Sequence, residues 1–269
     1  MKYFILLIGL FFIIKTQSQE LFVITEPASN MPTGSVGVRM AQSLMKENFE
    51  NGYNYHLMPE IMWGTNKNMM LHLTAFASNR ASKLVVEGGS LYAKYRFFSA
   101  DDFHSHFRLA LYGRLSRNNS DIHQEQIEIM GHNSGFETGI IATQLLNKLA
   151  ISSSISFEKA IDNGTKNLFP SDQSSTAINY TLSFGKLVYP KKYTNFKQTN
   201  INLMIEFAGQ TLLQNQKSYL EVVPSIQFII NSQARIDIAY QRELYRSMTR
   251  TASNGVYIKL EYTFFNVTK

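Results

Sequence analysis

GVYIKLEYTFF, residues 255–265, places Val256, Ile258, Leu260, Tyr262 and Phe264 on one side of an extended chain and Tyr257, Lys259, Glu261 and Thr263 on the other. Successive side chains of a strand point to opposite faces, so this stretch reads as β-structure with one apolar and one charged face. Two settings accept such a strand. A sandwich buries the apolar face against a second sheet and turns the charges to water. A closed transmembrane barrel turns the apolar face to lipid and the charges to a watery lumen.

The same period recurs upstream. Ile236, Ile238 and Tyr240 oppose Arg235, Asp237 and Gln241; Leu220, Val222, Pro224, Ile226 and Phe228 oppose Tyr219, Glu221, Ser225 and Gln227. Ile201, Leu203, Ile205 and Phe207 oppose Asn202, Glu206 and Gln210, and the runs at 178–184, 149–158, 103–114 and 91–97 repeat the rule. Weaker alternation over 34–46, 54–64, 68–78 and 135–146 brings the count to about twelve, or ten to fourteen if one hairpin is merged or split. Runs of about 9–13 residues match a tilted strand crossing a bilayer, whereas sandwich strands are usually about five or six residues long. Pro59 and Pro224 fall inside runs and cannot donate to a ladder, which predicts a bulge or local break at each.

The connections favour the barrel. Residues 65–67, 100–102, 146–148 and 231–233 are short links, while 118–134 and 162–174 are long and rich in Asn, Asp, Ser and Gly. Short turns on one side and long loops on the other are the rhythm of an outer-membrane barrel; Pro190 to Gln198 departs from it. The expectation is an all-β, antiparallel up-and-down barrel over residues 34–269.

At the N-terminus Lys2, the apolar run Tyr3–Ile14 and Thr16-Gln17-Ser18 read as a signal peptide over 1–18. The run is too short to cross a bilayer as a helix. Residues 19–33 are then expected to be a periplasmic segment ahead of the barrel. The chain has no cysteine, which removes a disulfide framework and thiolate metal sites. Without Lys2 and Lys15, the 26 Lys and Arg fall to 24 against 20 Asp and Glu, with no basic cluster of the kind nucleic acid requires. Nineteen Phe and 14 Tyr stand against one Trp, and mean hydropathy is −0.16.

Two segments, ELFVITEPASNMPTGSVGVRM at 20–40 and YHLMPEIMWGTNKNMMLHLTAFASN at 55–79, resemble the N-terminal part of uncharacterised outer-membrane barrel proteins of Bacteroidota. That group is similar to the transporter-like barrels filed with the MetA phenol-degradation pathway. The resemblance covers about a fifth of the chain. It implies a barrel in the outer membrane of a Gram-negative bacterium and brings no catalytic residue. The aromatic run Tyr262, Phe264 and Phe265 is similar to the C-terminal signal read by barrel-assembly machinery.

If the barrel forms, Arg39, Glu60, His72, Lys94, Arg96, His104, Arg108, Glu137, Glu158, Glu206, Glu221, Arg235, Asp237, Lys259 and Glu261 point inward. Bases concentrate on the fourth and fifth strands and acids on the sixth to tenth, so ion pairs across a narrow lumen would plug it, while a wider lumen would leave charged walls along a solute path. Met58, Met62, Met70 and His72 form a second constellation, because thioethers and imidazole suit soft metal ions; methionines filling gaps account for it equally. No Gly-x-Ser-x-Gly elbow, H-E-x-x-H or P-loop occurs, and His104 and Ser105 face opposite ways. The reading is a non-enzymatic barrel without cofactor, with outer-membrane lipid as partner and passage or binding of a small solute as its role. The alternative is a plugged structural barrel whose loop Asn118 to Ser134 contacts a partner.

Overall fold

A computed structural model describes residues 22–49, 51–80, 83–102, 105–191 and 197–268; the expected signal peptide and His104 lie outside them. Twelve strands follow in order: β1 (Val36–Glu47), β2 (Tyr53–Gly64), β3 (Met69–Ser78), β4 (Val85–Asp101), β5 (Ser105–Asn118), β6 (Ser134–Leu146), β7 (Leu149–Ile161), β8 (Thr176–Tyr189), β9 (Asn200–Leu212), β10 (Ser218–Ile230), β11 (Ala234–Arg246) and β12 (Ala252–Phe264). Each pairs antiparallel with its successor, and β12 returns to β1, so the sheet closes without an edge. Closure excludes the sandwich: the apolar faces meet no second sheet.

The tight turns follow from local chemistry. The β6–β7 link is Asn147-Lys148 with Asn147 at φ 54°, and the β10–β11 link holds Asn231 and Ser232 at φ 53° and 56°. Consecutive left-handed residues are the turn geometry whose twist matches paired strands. At the opposite end the links 119–133 and 162–175 are long, but 48–52, 79–84, 213–217 and 247–251 are modest, so the short–long rhythm rests on two loops.

Of the bulge or local break expected at each proline, the structure shows the break. Pro59 stays in register opposite Met40, and toward β3 the pairs pass from Leu57↔Ala77 to Glu60↔Thr74 without a shift. Pro224 leaves a similar gap toward β11, between Val222↔Arg242 and Ser225↔Ala239. Each missing donor costs a local break in one ladder only. Register shifts occur elsewhere, at Phe76/Ala77 and Leu220/Glu221 among others.

The alternation sorts the wall. Leu73, Leu91, Leu111, Ile155, Leu203, Ile238 and Ile258 are exposed on its outside. Exposed aromatics gather toward both rims, with Trp63, Phe97, Phe98, Tyr189 and Tyr262 at the short-turn end and Tyr53, Phe136 and Tyr245 at the other. Both barrel termini meet at the short-turn end, where Val267 N and Thr268 N donate to Gly34 O at 2.8 and 3.1 Å. There Gly34 N donates to Gly64 O at 2.8 Å, and a Cβ on Gly64 would stand 2.3 Å from the Pro32 carbonyl oxygen. Only glycine admits the chain preceding β1 so closely.

Candidate solute site in the lumen

The chain preceding β1 enters the barrel. Phe22 and Val23 pack with Ala41, Met58, Phe76, Met204, Val223 and Tyr257, which come from strands all around the wall. Of the stretch 19–33, expected as a segment ahead of the barrel, the described residues Phe22 to Met31 lie in the bore. An extended peptide without a strand partner has N–H and C=O groups that must be satisfied. The lumen charges satisfy them. Glu206, wholly buried, accepts Val23 N at 2.8 Å through Oε1, and Thr25 N at 2.9 Å and Thr25 Oγ1 at 2.8 Å through Oε2; Ile24 N lies within 3.3 Å of both oxygens. Lys94 Nζ donates to Pro27 O at 2.6 Å and Ser29 O at 2.8 Å, and Lys259 Nζ donates to Val23 O. Arg108 reaches Ser29 Oγ at 2.7 Å, and Ala28 N donates to Thr143 Oγ1 at 2.9 Å.

A narrow lumen had suggested direct pairs between the basic and acidic walls across the bore; the N-terminal segment lies between them instead. Cations of β4, β5 and β12 hold the segment's oxygens, and a carboxylate of β9 holds its N–H groups. Direct ion pairs form between near neighbours: Arg39 meets Glu261 at 2.8 Å and Glu60 at 2.9 Å, and Arg235 meets Glu261 at 2.8 Å and Asp237 at 3.1 Å. Arg39 also reaches Glu26 of the N-terminal segment at 2.9 Å.

The β5–β6 loop, 119–133, closes the opposite mouth. Expected to be solvated and free for a partner, it folds inward, and Ile127 and Ile129 are buried with Leu212, Tyr219 and Met248. Ile127 N donates to Gln210 Oε1 at 2.9 Å while Gln210 Nε2 donates to Ile127 O at 2.7 Å. Arg250 Nε donates to Gln126 Oε1 at 2.7 Å, and its guanidinium pairs with Glu221 at 2.6 Å over the Tyr219 ring. On the other flank His132 Nε2 and His56 Nε2 stand 3.2 Å apart. Arg80 donates to His56 Nε2 at 3.3 Å, so the network makes His132 Nε2 the donor and its Nδ1 the acceptor from Gln124 at 2.8 Å. Burial, with Arg80, His56 and His123 nearby, lowers the His132 pKa well below its usual value. Burial raises Glu128, 3.2 Å from His132 Nδ1, to about 7, against the opposing pull of Arg80 and Arg250.

Of the remaining expected lumen residues, Arg39, Glu60, His72, Lys94, Arg108, Glu137, Glu158, Glu206, Glu221, Arg235, Asp237, Lys259 and Glu261 are all buried in the interior. Arg96 sits at the short-turn rim, donating to Lys67 O at 2.6 Å. Met62 and Met70 pack with Met31 of the N-terminal segment, Met58 packs beside Phe22, and His72 contacts Glu60 at 3.3 Å and the Tyr92 ring. Among the described residues no group of three His, Asp or Glu side chains could hold a metal ion. Sequence reading missed both plugs. Their signals were apolar residues out of place: Phe22 and Val23 ahead of the first strand, Ile127 and Ile129 inside a polar loop.

Between the plugs remains a chamber of two lobes, about 250 and 230 Å³, with Arg114, Glu137 and Asn179 in both walls. Arg114 stands 3.5 Å from Glu137, whose Oε1 accepts Tyr112 Oη at 2.6 Å.

No family model matches the chain, and no curated protein matches its sequence. Among solved structures, it resembles an outer membrane channel from Pseudomonas putida F1, with a TM-score of 0.57 and 12% identity over 89% of this chain and 98% of that one. The KdgM porin follows at TM-score 0.48 and 9% identity, covering 86% and 99%, and the NanC porin at 0.49 and 8%, covering 84% and 98%. At these identities the likeness is one of fold: a closed antiparallel barrel.

Proposed function

We propose that the chain is a non-enzymatic barrel of a Gram-negative outer membrane, exported with loss of residues 1–18, which binds or passes a small solute through a lumen normally closed by its own segments. An apolar exterior with aromatics toward both rims around a charged interior supports the membrane location. The structurally similar protein from Pseudomonas putida F1 is an outer membrane channel, which agrees with it. The resemblance of 20–40 and 55–79 supports a place among Bacteroidota barrels similar to the MetA-pathway group. The observation that carries the reading is how 22–31 is held. Hydrogen bonds, two ion pairs to Glu26 and apolar contacts fasten it, no ladder ties it to the wall, and it could leave without breaking the sheet.

Planar-bilayer recording tests this. The whole protein is expected to be nearly silent, and a variant lacking residues 22–31 to show stepwise conductance. An open pore in the whole protein would refute the closed lumen. Silence in both proteins would favour the alternative, a structural barrel plugged for good by the inward β5–β6 loop.

A further inference from the structure

The charges of the chamber do not balance. Its smaller lobe is lined by Glu26, Glu60 and Glu137 against Arg39, Arg114 and Lys259. The larger is lined by Glu128, Glu137, Glu158 and Glu221 against Arg114 and Arg250. Arg250 is engaged by Glu221 at 2.6 Å and Glu243 at 3.1 Å, and Arg114 by Glu137 at 3.5 Å. Among the described residues Glu158 and Glu128 have no Lys or Arg ion-pair partner: the first accepts Gln210 Nε2 at 3.0 Å, and the second stands 3.2 Å from the imidazole of His132. Glu158 moreover lies directly opposite Glu137 in the β6–β7 ladder, where like charges repel.

A second observation points the same way. Asn54 lines the larger lobe, is 4% exposed, and its Oδ1 has no hydrogen-bond partner. An amide oxygen and two unpaired carboxyls make a wall rich in acceptors. Tyr219 and Tyr257 line this lobe too, each already facing a cation of the protein, Arg250 at 3.7 Å and Lys259 at 5.9 Å from the ring centre. The lining is not a metal cage, because among the described residues no three acidic or imidazole groups converge to coordinate an ion. Its volume of about 250 Å³ exceeds the roughly 150 Å³ that admits benzene, so a small organic molecule fits.

We propose that the larger lobe is a binding site for a small organic cation bearing an ammonium or guanidinium group, its charge taken by Glu158 and Glu128 and a donor offered to Asn54. The inference rests on reading the barrel as a solute-binding channel, and it assigns the charge class of the solute. The carboxyls play no chemical part beyond accepting hydrogen bonds and holding the positive charge. An anion of the same size would meet two unpaired carboxyls and be rejected.

Calorimetric titration of the whole protein, folded in detergent, with agmatine, 1,4-butanediol and succinate tests this. Agmatine is expected to bind at least tenfold more tightly than either other compound, and Glu158→Gln to remove most of that preference. Glu128→Gln, a loop change that spares the wall, should weaken agmatine binding severalfold if Glu158→Gln disturbs folding. The same titrations in Glu206→Ala, whose N-terminal plug is loosened, keep a shut entrance from imitating failure. Absence of agmatine binding in both proteins, or equal binding of the three compounds, would overturn the site. Bilayer recording of Glu206→Ala separates the two readings. A pore without cation preference removes the site and leaves passage standing, while agmatine binding in a silent barrel keeps the site and removes passage.

Discussion

The wall and the filling of this barrel obey different rules. In the wall, position decides everything: a residue faces outward or into the lumen according to its parity, and Ile258 is exposed while Tyr257 and Lys259 beside it are buried. In the filling no period operates. Phe22–Met31 and 119–133 are irregular, and each is held by side chains that project from strands far away in sequence, Glu206 on Val23 and Gln210 on Ile127. The wall is held by continuous ladders, the filling by apolar contacts with the bore and by single charged or amide groups, so the two should fail separately.

The largest effect is expected in the wall. Ile258→Arg puts a charge on the outer face at the middle of β12. Near a bilayer midplane that costs about 2–4 kcal/mol. Urea titration of protein folded into lipid vesicles should show the whole barrel losing this stability. A change under about 0.5 kcal/mol would mean that this face does not meet lipid, because ordinary surface substitutions fall within that range.

Glu206→Ala should spare the wall and strike the filling. It removes the acceptor of Val23 N and Thr25 N and of the Thr25 hydroxyl. A hydrogen bond to a charged group contributes about 1.5–3 kcal/mol. The mobility of the folded, unheated barrel on gels should therefore stay unchanged while amide exchange at 23–25 accelerates at least tenfold. Loss of the folded band would show that wall and filling form one cooperative unit, contrary to the comparison.

That division also explains what could be read in the sequence. Parity along β12 and β11 announces the wall because each residue's face follows from its neighbours, while the lengths of the runs and of their connections were needed to favour a closed barrel over a sandwich. Parity likewise puts Glu206, Lys94 and Lys259 in the lumen. It is silent on their partners, which are backbone groups, and every residue carries the same ones. Nothing in the spelling of Val23 or Thr25 says that its N–H will find a carboxylate about 180 positions later. The inward fold of 119–133 is hidden for a related reason. Two isoleucines in a polar loop draw little notice until Gln210 and Leu212 are known to stand beneath them. The register carries the charge balance of the chamber, since only the pairing of β6 with β7 puts Glu158 opposite Glu137.

The smallest effect tests the filling by pH. With the β5–β6 loop docked, His132 is held neutral by burial, by Arg80 and by its histidine neighbours, so its pKa lies well below 6.5. Undocked, it would bind a proton as pH falls through about 6.5. Docking should therefore be strong above that value and weaken on acidification, until pH reaches the depressed value of the docked state. Glu128 works the other way. Docked, it keeps its proton up to about 7 against a free value of 4.5, so docking weakens as pH rises from 4.5 to 7. Between 4.5 and 6.5 the two effects oppose each other, so the native loop should respond to pH less than a loop without the Glu128 carboxyl. The groups facing His132, namely His56, Arg80, His123 and Glu128, are unchanged in a comparison of the parent with Glu128→Gln except for that one carboxyl. In a protein lacking residues 22–31, where the loop is the remaining closure, Glu128→Gln should open more often at pH 5 than at pH 7, by up to about tenfold per unit for one proton. The parent should change less over the same interval. Equal pH profiles for the two proteins would mean that the loop is held by Gln210 and Arg250 alone, and that the histidine pair takes no part in closing the mouth.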